Sequence, residues 1–273
     1  MFKHMPFFTK KCYNMVDSTI FDSHQGVFML KPVFNRYERK YIITSAQKND
    51  MIEFMKEHLV FDQYSIGNQA YTIYNIYFDT HDFNIIRNSI AKPIYKEKLR
   101  LRSYKFPLDP HDLVFLEIKK KFEGRINKRR LFLTYEDALN YLNKGIKPNF
   151  TNYLDQQVFN EIDYFLTLHK AKPGAFISYK RIAMISETDD LRVTFDYDMK
   201  FRNKNVNLES DEGSHIIESN DYFLMEVKSS NNFPYWLARQ LSTYELYSQS
   251  FSKYGKAYQK YLEGGNNDDY ILY

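Results

Sequence analysis

Four cations at every second position mark where this chain could do chemistry. They are Lys96, Lys98, Arg100 and Arg102, with Leu99 and Leu101 between them. In a β-strand successive side chains face opposite ways, so the cations would share one face and the leucines the other. The pattern repeats over 114–122, where Glu117, Lys119 and Lys121 alternate with Leu116 and Ile118. Lys40, Lys128, Arg181 and Arg192 are candidates for the same face in other strands. A solvated strand face would carry charges of mixed sign toward water. Recurrence over several strands points instead to one cationic wall lining an interior. Crowded like charges in a confined site are costly unless an anion neutralises them, so the pattern asks for a polyanion.

Acids interrupt this wall at two sites. Glu117 stands two residues before Lys119, and Glu226 two before Lys228; Glu38 is a third acid, in an earlier strand. Each could be an internal salt bridge that offsets repulsion. Each could equally help hold a hard divalent cation against phosphate oxygens, as Mg²⁺ or Mn²⁺ sites do with few protein ligands. The residues alone leave both readings open. His58, His81, His111, His169 and His215 fit no strand-face motif and read as surface or packing residues.

The elements that must position these groups follow the apolar periodicity. A first strand is expected over 33–43, then a helix opened by a Thr44–Gln47 capping box and carrying Met51, Ile52, Met55 and Leu59. A strand over 71–78 and a short helical segment with Arg87 precede the two basic strands. Gly124 turns the chain into a fifth strand, Thr134 caps a helix to about Asn143, and Asn152 opens another to 169. Strands over 175–184, 190–201 and 222–230 follow, with a polar loop or loose hairpin from Asn203 to Asn220. Pro234 starts the first of two C-terminal helical segments. Residues 1–32 read as a leader of low order, 33–263 as one domain and 264–273 as a tail. The fold expected is α+β: an eight-stranded antiparallel β-barrel with helices packed outside.

Composition narrows the class. The chain has 273 residues with 44% hydrophobic and 26% charged, globular values, and a formal net charge of only +4. The charge is therefore local, a matter of clustering. The single cysteine excludes an internal disulfide framework and suits a cytoplasmic location. No apolar run reaches the length of about eighteen residues that a membrane span needs.

Several short motifs, in order along the chain, resemble one family. They are Glu38-Arg39-Lys40-Tyr41, Leu99-Arg100-Leu101-Arg102, Leu116-Glu117-Ile118-Lys119, Tyr179-Lys180-Arg181, Leu191-Arg192-Val193 and Met225-Glu226-Val227-Lys228. Together they are similar to the VTC domain, the polyphosphate polymerase domain among the triphosphate tunnel metalloenzymes. The resemblance implies a tunnel, ATP as phosphoryl donor, and a Mn²⁺ or Mg²⁺ ion. It implies phosphate-binding roles for Lys40, Arg100, Arg102, Lys119, Arg181 and Arg192, and a metal role for Glu226. Ser252-Lys253 resembles a helix start that contacts phosphate at a tunnel mouth, and Arg87 matches another tunnel arginine. The broader superfamily has two glutamates before the first-strand lysine. Here position 36 is Arg and only Glu38 remains, which favours the VTC branch.

ATP and a polyphosphate chain are thus the expected partners. Lys98, Lys128 and Lys228 add phosphate contacts, and Glu117 and Glu38 stand beside Glu226 as metal candidates. The leader is shorter than the SPX domain of eukaryotic members, so regulation and export would involve other chains, a membrane protein among them. A tunnel triphosphatase or nucleotide cyclase is the alternative enzyme. A non-catalytic polyanion binder, RNA included, should instead show its cations on an open face interleaved with stacking aromatics. Nucleic acid is therefore not expected.

Overall fold

The computed structural model describes residues 37–263 apart from 124, 211, 212, 220 and 231. The expected leader, the strand positions 33–36, Cys12, the Gly124 turn residue and the tail 264–273 lie outside the described residues. In chain order the elements are β1 (Tyr37–Thr44), α1 (Ser45–Met55), β2 (Val60–Phe61), β3 (Tyr71–Asp79), α2 (Asn84–Ile90), β4 (Tyr95–Ser103), β5 (Leu113–Phe122) and β6 (Arg125–Thr134). Then come α3 (Tyr135–Lys144), α4 (Tyr153–His169), β7 (Lys172–Ile185), β8 (Leu191–Arg202), β9 (His215–Ile216), β10 (Tyr222–Ser229), α5 (Tyr235–Thr243) and α6 (Lys253–Tyr261).

Local chemistry places the helix starts. The Thr44 hydroxyl accepts from the Gln47 N–H at 3.3 Å, and the Gln47 side chain accepts from the Thr44 N–H at 2.9 Å, which completes the capping box. Thr134, Asn152 and Ser252 cap α3, α4 and α6 with their own side chains. Part of the expected polar loop pairs with β8 as the short strand β9.

All ladders are antiparallel, and the main order is β1-β10-β8-β7-β3-β4-β5-β6. This is a ten-stranded α+β sheet with six α-helices among the described residues. It corrects the expected closed barrel: β1 and β6 remain edges, with no ladder between them among the described residues. The sheet nevertheless curls, because Lys119 Nζ on β5 comes within 3.9 Å of Glu38 Oε2 on β1. Long charged side chains span the gap where backbone bonds do not.

The convex face is apolar. Leu99, Leu101, Leu116 and Ile118 pack under α3 and α4 with Ala138, Phe159, Ile162 and Phe165. Burying a leucine in this way stabilises by roughly 1.5–3 kcal/mol. Tyr41, Val193, Met225 and Val227 pack likewise under α1 and α5. A third cluster joins Ile73, Ile177, Tyr179 and Leu224 to Ile86 of α2 and Tyr254 and Ala257 of α6. These strand residues share a face with Asn75, Arg181 and Glu226, so α6 plugs one end of the concave side. The charged residues fill the remainder. No helix among the described residues is long and apolar enough to cross a membrane.

Candidate active site

The concave face is built around buried carboxylates, each gripped by several cations. Glu117 on β5 is the first. Its register partners are Arg100 on β4 and Arg130 on β6. Arg100 Nε donates to Glu117 at 2.6 Å, Arg130 Nε donates at 2.6 Å, and Lys128 and Arg102 approach at 3.1 and 3.6 Å. Burial would raise the Glu117 carboxyl, but Arg100, Arg102, Lys128 and Arg130 outweigh it and hold it well below the usual range. Asn75 then accepts from Arg102 Nε at 3.0 Å, and Tyr179 accepts from Arg102 at 3.4 Å. The guanidinium groups are fixed before any ligand arrives.

Asp196 on β8 is the second hub. Arg181 donates to it bidentately at 2.6 and 2.7 Å, and Lys253 Nζ at the start of α6 donates at 2.6 Å. Burial raises the Asp196 carboxyl; Arg181 and Lys253 more than reverse this and lower it.

The third hub pairs Glu38 with Glu226 on adjacent strands. Lys40 Nζ lies between them, 3.3 Å from Glu38 and 3.5 Å from Glu226. Lys228 approaches Glu226 at 3.4 Å, with Arg181 and Lys253 at 3.9 Å. Burial raises the Glu38 carboxyl, but Lys119, Lys228 and Lys40 bring it down to about 2. Glu226 is held well below its ordinary value against burial by Lys40, Lys228, Lys253 and Arg181.

The remaining sequence candidates divide. Arg192 donates to Asp62 at 3.1 Å on the same side of the sheet. Lys98 reaches the Ser252 hydroxyl, 3.4 Å away. Arg87 is not brought into the cluster; it pairs with Asp82 at 2.7 Å on an exposed face. The histidines lie apart: His169 meets Glu97 at 3.0 Å, and His58 stacks on Trp236 with ring centres 4.2 Å apart. Sequence reasoning missed Asp62, Asn75, Arg130, Thr194 and Asp196. Asn75 alone carried a visible signal, a lone amide in the apolar run Tyr71–Phe78. Cations outnumber carboxylates on this concave surface, so it favours anions.

A divalent ion would find a limited but suitable donor set. No three His, Cys, Asp or Glu side chains converge on a metal position among the described residues. Glu38 and Glu226 offer hard carboxylate oxygens, which match Mg²⁺ or Mn²⁺ when phosphate and water supply the rest. Thr194 stands opposite Glu226 in the ladder, and its buried hydroxyl has no hydrogen-bond partner among the described residues. An unsatisfied oxygen beside a carboxylate fits an ion-and-phosphate site better than a closed salt bridge does.

With this geometry in place, a family comparison decides the lineage. The VTC domain profile matches residues 35–262. The chain belongs to the VTC domain family. Among solved structures, this VTC domain is similar to a protein of Bacillus halodurans described as a candidate adenylate cyclase. That likeness has a TM-score of 0.50 at 14% identity, covering 82% of this chain and 96% of the other. At that identity it shows a shared fold. A conserved hypothetical protein of Pyrococcus furiosus is also similar, with TM-score 0.34, 12% identity, and coverage of 77% and 88%; no argument rests on it. No curated protein matches this sequence.

Proposed function

We propose that this VTC domain is a metal-dependent phosphotransferase that moves the γ-phosphate of ATP onto a growing polyphosphate chain. The observation that carries this reading is the excess of walled-in cations, with arginines already oriented by Glu117 and Asp196. A planar guanidinium held at fixed orientation matches phosphate oxygens bidentately and costs little reorganisation when charge develops. In this reading the curled sheet and α6 form a tunnel around the substrate.

Arg100, Arg102, Arg181 and Arg192 clamp the triphosphate, while Lys40 and Lys119 add point charges. Lys128 and Lys228 extend the cationic wall, and Lys253 with Ser252 meets the accepting chain at the α6 end. Glu226 and Glu38 hold the Mn²⁺ or Mg²⁺ ion, which when bound supplies positive charge to the transferred phosphoryl group. Glu117, surrounded by cations, serves as the organiser of arginines in preference to an ion ligand. No protein nucleophile is needed, because an oxygen of the chain's terminal phosphate attacks in line and ADP leaves. Alignment and electrostatics carry the rate. Residues 33–263 act as one domain, with a cytoplasmic setting and a membrane-protein partner for export.

Incubation with ATP and Mn²⁺, with products separated by chain length, tests the proposal. Chains longer than pyrophosphate and lengthening with time support it. Free phosphate alone would replace polymerase with triphosphatase, and a cyclic nucleotide would favour the chemistry suggested for the Bacillus halodurans protein.

A further inference from the structure

Lys98 differs from the carboxylate-paired cations of the concave face. Lys40, Arg100, Arg181 and Lys253 each have a carboxylate partner, whereas Lys98 forms no ion pair among the described residues and its ammonium donates to the Ser252 hydroxyl at 3.4 Å. The groups facing it from neighbouring strands are chiefly cationic: Lys96 on its own strand, Lys119 across the β4–β5 ladder, and Lys40 from β1. The acid that acts on it most among the described residues is Asp79 on β3. That carboxylate is already taken by the N–H groups of Thr80, Ile85 and Ile86 and by the Tyr254 hydroxyl. Burial, then Lys96, Lys119 and Lys40, push the Lys98 ammonium down to about 7.

We propose that Lys98 and Ser252 form a proton-coupled anion subsite, where the terminal phosphate group of an inorganic phosphate chain binds together with a proton taken from solvent. This deepens the polymerase reading and rests on it. An arriving phosphate supplies the negative charge that Asp79 cannot, so the charged amine becomes the favoured form. The neutral amine gains one proton from buffer, and no other bond changes. Holding Lys98 neutral in the empty site relieves its repulsion with Lys96, Lys119 and Lys40. Occupation restores the charge when it is useful, and affinity for a phosphate chain therefore depends on pH through this residue.

Calorimetric titration with tripolyphosphate, in buffers of different ionisation enthalpy, counts protons taken up per anion bound. Lys98→Arg keeps a cation that stays charged throughout, and Lys98→Met removes the titrating group; either suffices if the other fails to fold. Protonation of the probe itself is common to all proteins and drops out of the comparison. At pH 8 the wild type is expected to take up about one proton more than either variant, and at pH 6 the difference shrinks. Equal proton counts at pH 8 overturn the proposal while leaving phosphate-chain binding intact. Absence of any tripolyphosphate binding to the wild type overturns the phosphate-chain reading and this subsite with it.

Discussion

Lys253 Nζ lies 2.6 Å from Asp196 Oδ2, an ion pair that fastens the start of α6 to the middle of β8. The same lysine lies 3.9 Å from Glu226, so the helix that plugs the concave face also delivers a cation to its charged part. Fold and candidate site share this contact.

Removing Lys253 therefore tests both. Lys253→Ala leaves Asp196 paired with Arg181, so the chain should still fold. Chain elongation should fall more than ATP affinity does, measured by product-length analysis beside ATP titration. An equal loss of both would place Lys253 in the donor site.

Asp196→Asn should be the more damaging change. It strips the acid from Arg181 and Lys253 and leaves two cations buried together. Breaking a buried pair in this way costs about 3–5 kcal/mol. Chemical denaturation should show that loss, and tripolyphosphate should recover part of it by supplying negative charge.

Glu117→Gln and Glu226→Gln should separate the two roles assigned to buried acids. Loss of Glu117 should weaken ATP binding and stability while the Mn²⁺ dependence of turnover stays unchanged. Loss of Glu226 should leave ATP binding in place and lower turnover by roughly 100- to 1,000-fold, the scale for removing a main electrostatic element. Activity followed against Mn²⁺ concentration tells them apart; a shifted Mn²⁺ dependence in Glu117→Gln would assign the ion there.

Acid should unfold the empty protein readily. Glu38 titrates near 2 when folded, below its ordinary value of 4.5. The unfolded chain therefore binds protons first, and the stability Glu38 contributes is present above about 4.5 and lost as pH falls toward 2. Glu117, Glu226 and Asp196 shift in the same direction. Melting temperature should drop steeply over that window, and Glu38→Gln should flatten the slope.

Ligand binding should stabilise far more than ionic strength does. A ligand that binds only the folded state at a hundredfold excess over its Kd adds about 2.7 kcal/mol. Thermal melts should rise more with tripolyphosphate than with sulfate of equal charge. Equal shifts would mean screening alone.

The alternation of Arg100 and Arg102 with Leu99 and Leu101 decided the two faces of β4 before any fold was known, because a strand side chain has only two directions. Thr44, Thr134 and Asn152 placed helix starts for an equally local reason, since a cap bonds to an N–H two or three residues away. Tertiary structure decided which acid serves which cation. Asp196 meets Arg181 because β7 lies beside β8, and it meets Lys253 because α6 folds back from 57 residues downstream. In the sequence it is one acid in a run with Asp198, and a register shift near Ser178 with a positive φ of 49° at Asp198 separates their faces. Arg87 shows the converse: it has the right residue type, but its helix turns it toward Asp82 and away from the cluster. Sheet closure was beyond local pattern for the same reason. Whether the two ends of the sheet meet depends on accumulated curvature across all its strands, and here Glu38 of β1 reaches Lys119 of β5, the strand beside β6, through side chains and not backbone. Alternation assigns a face; only the strand order brings distant charges on that face within reach of one another.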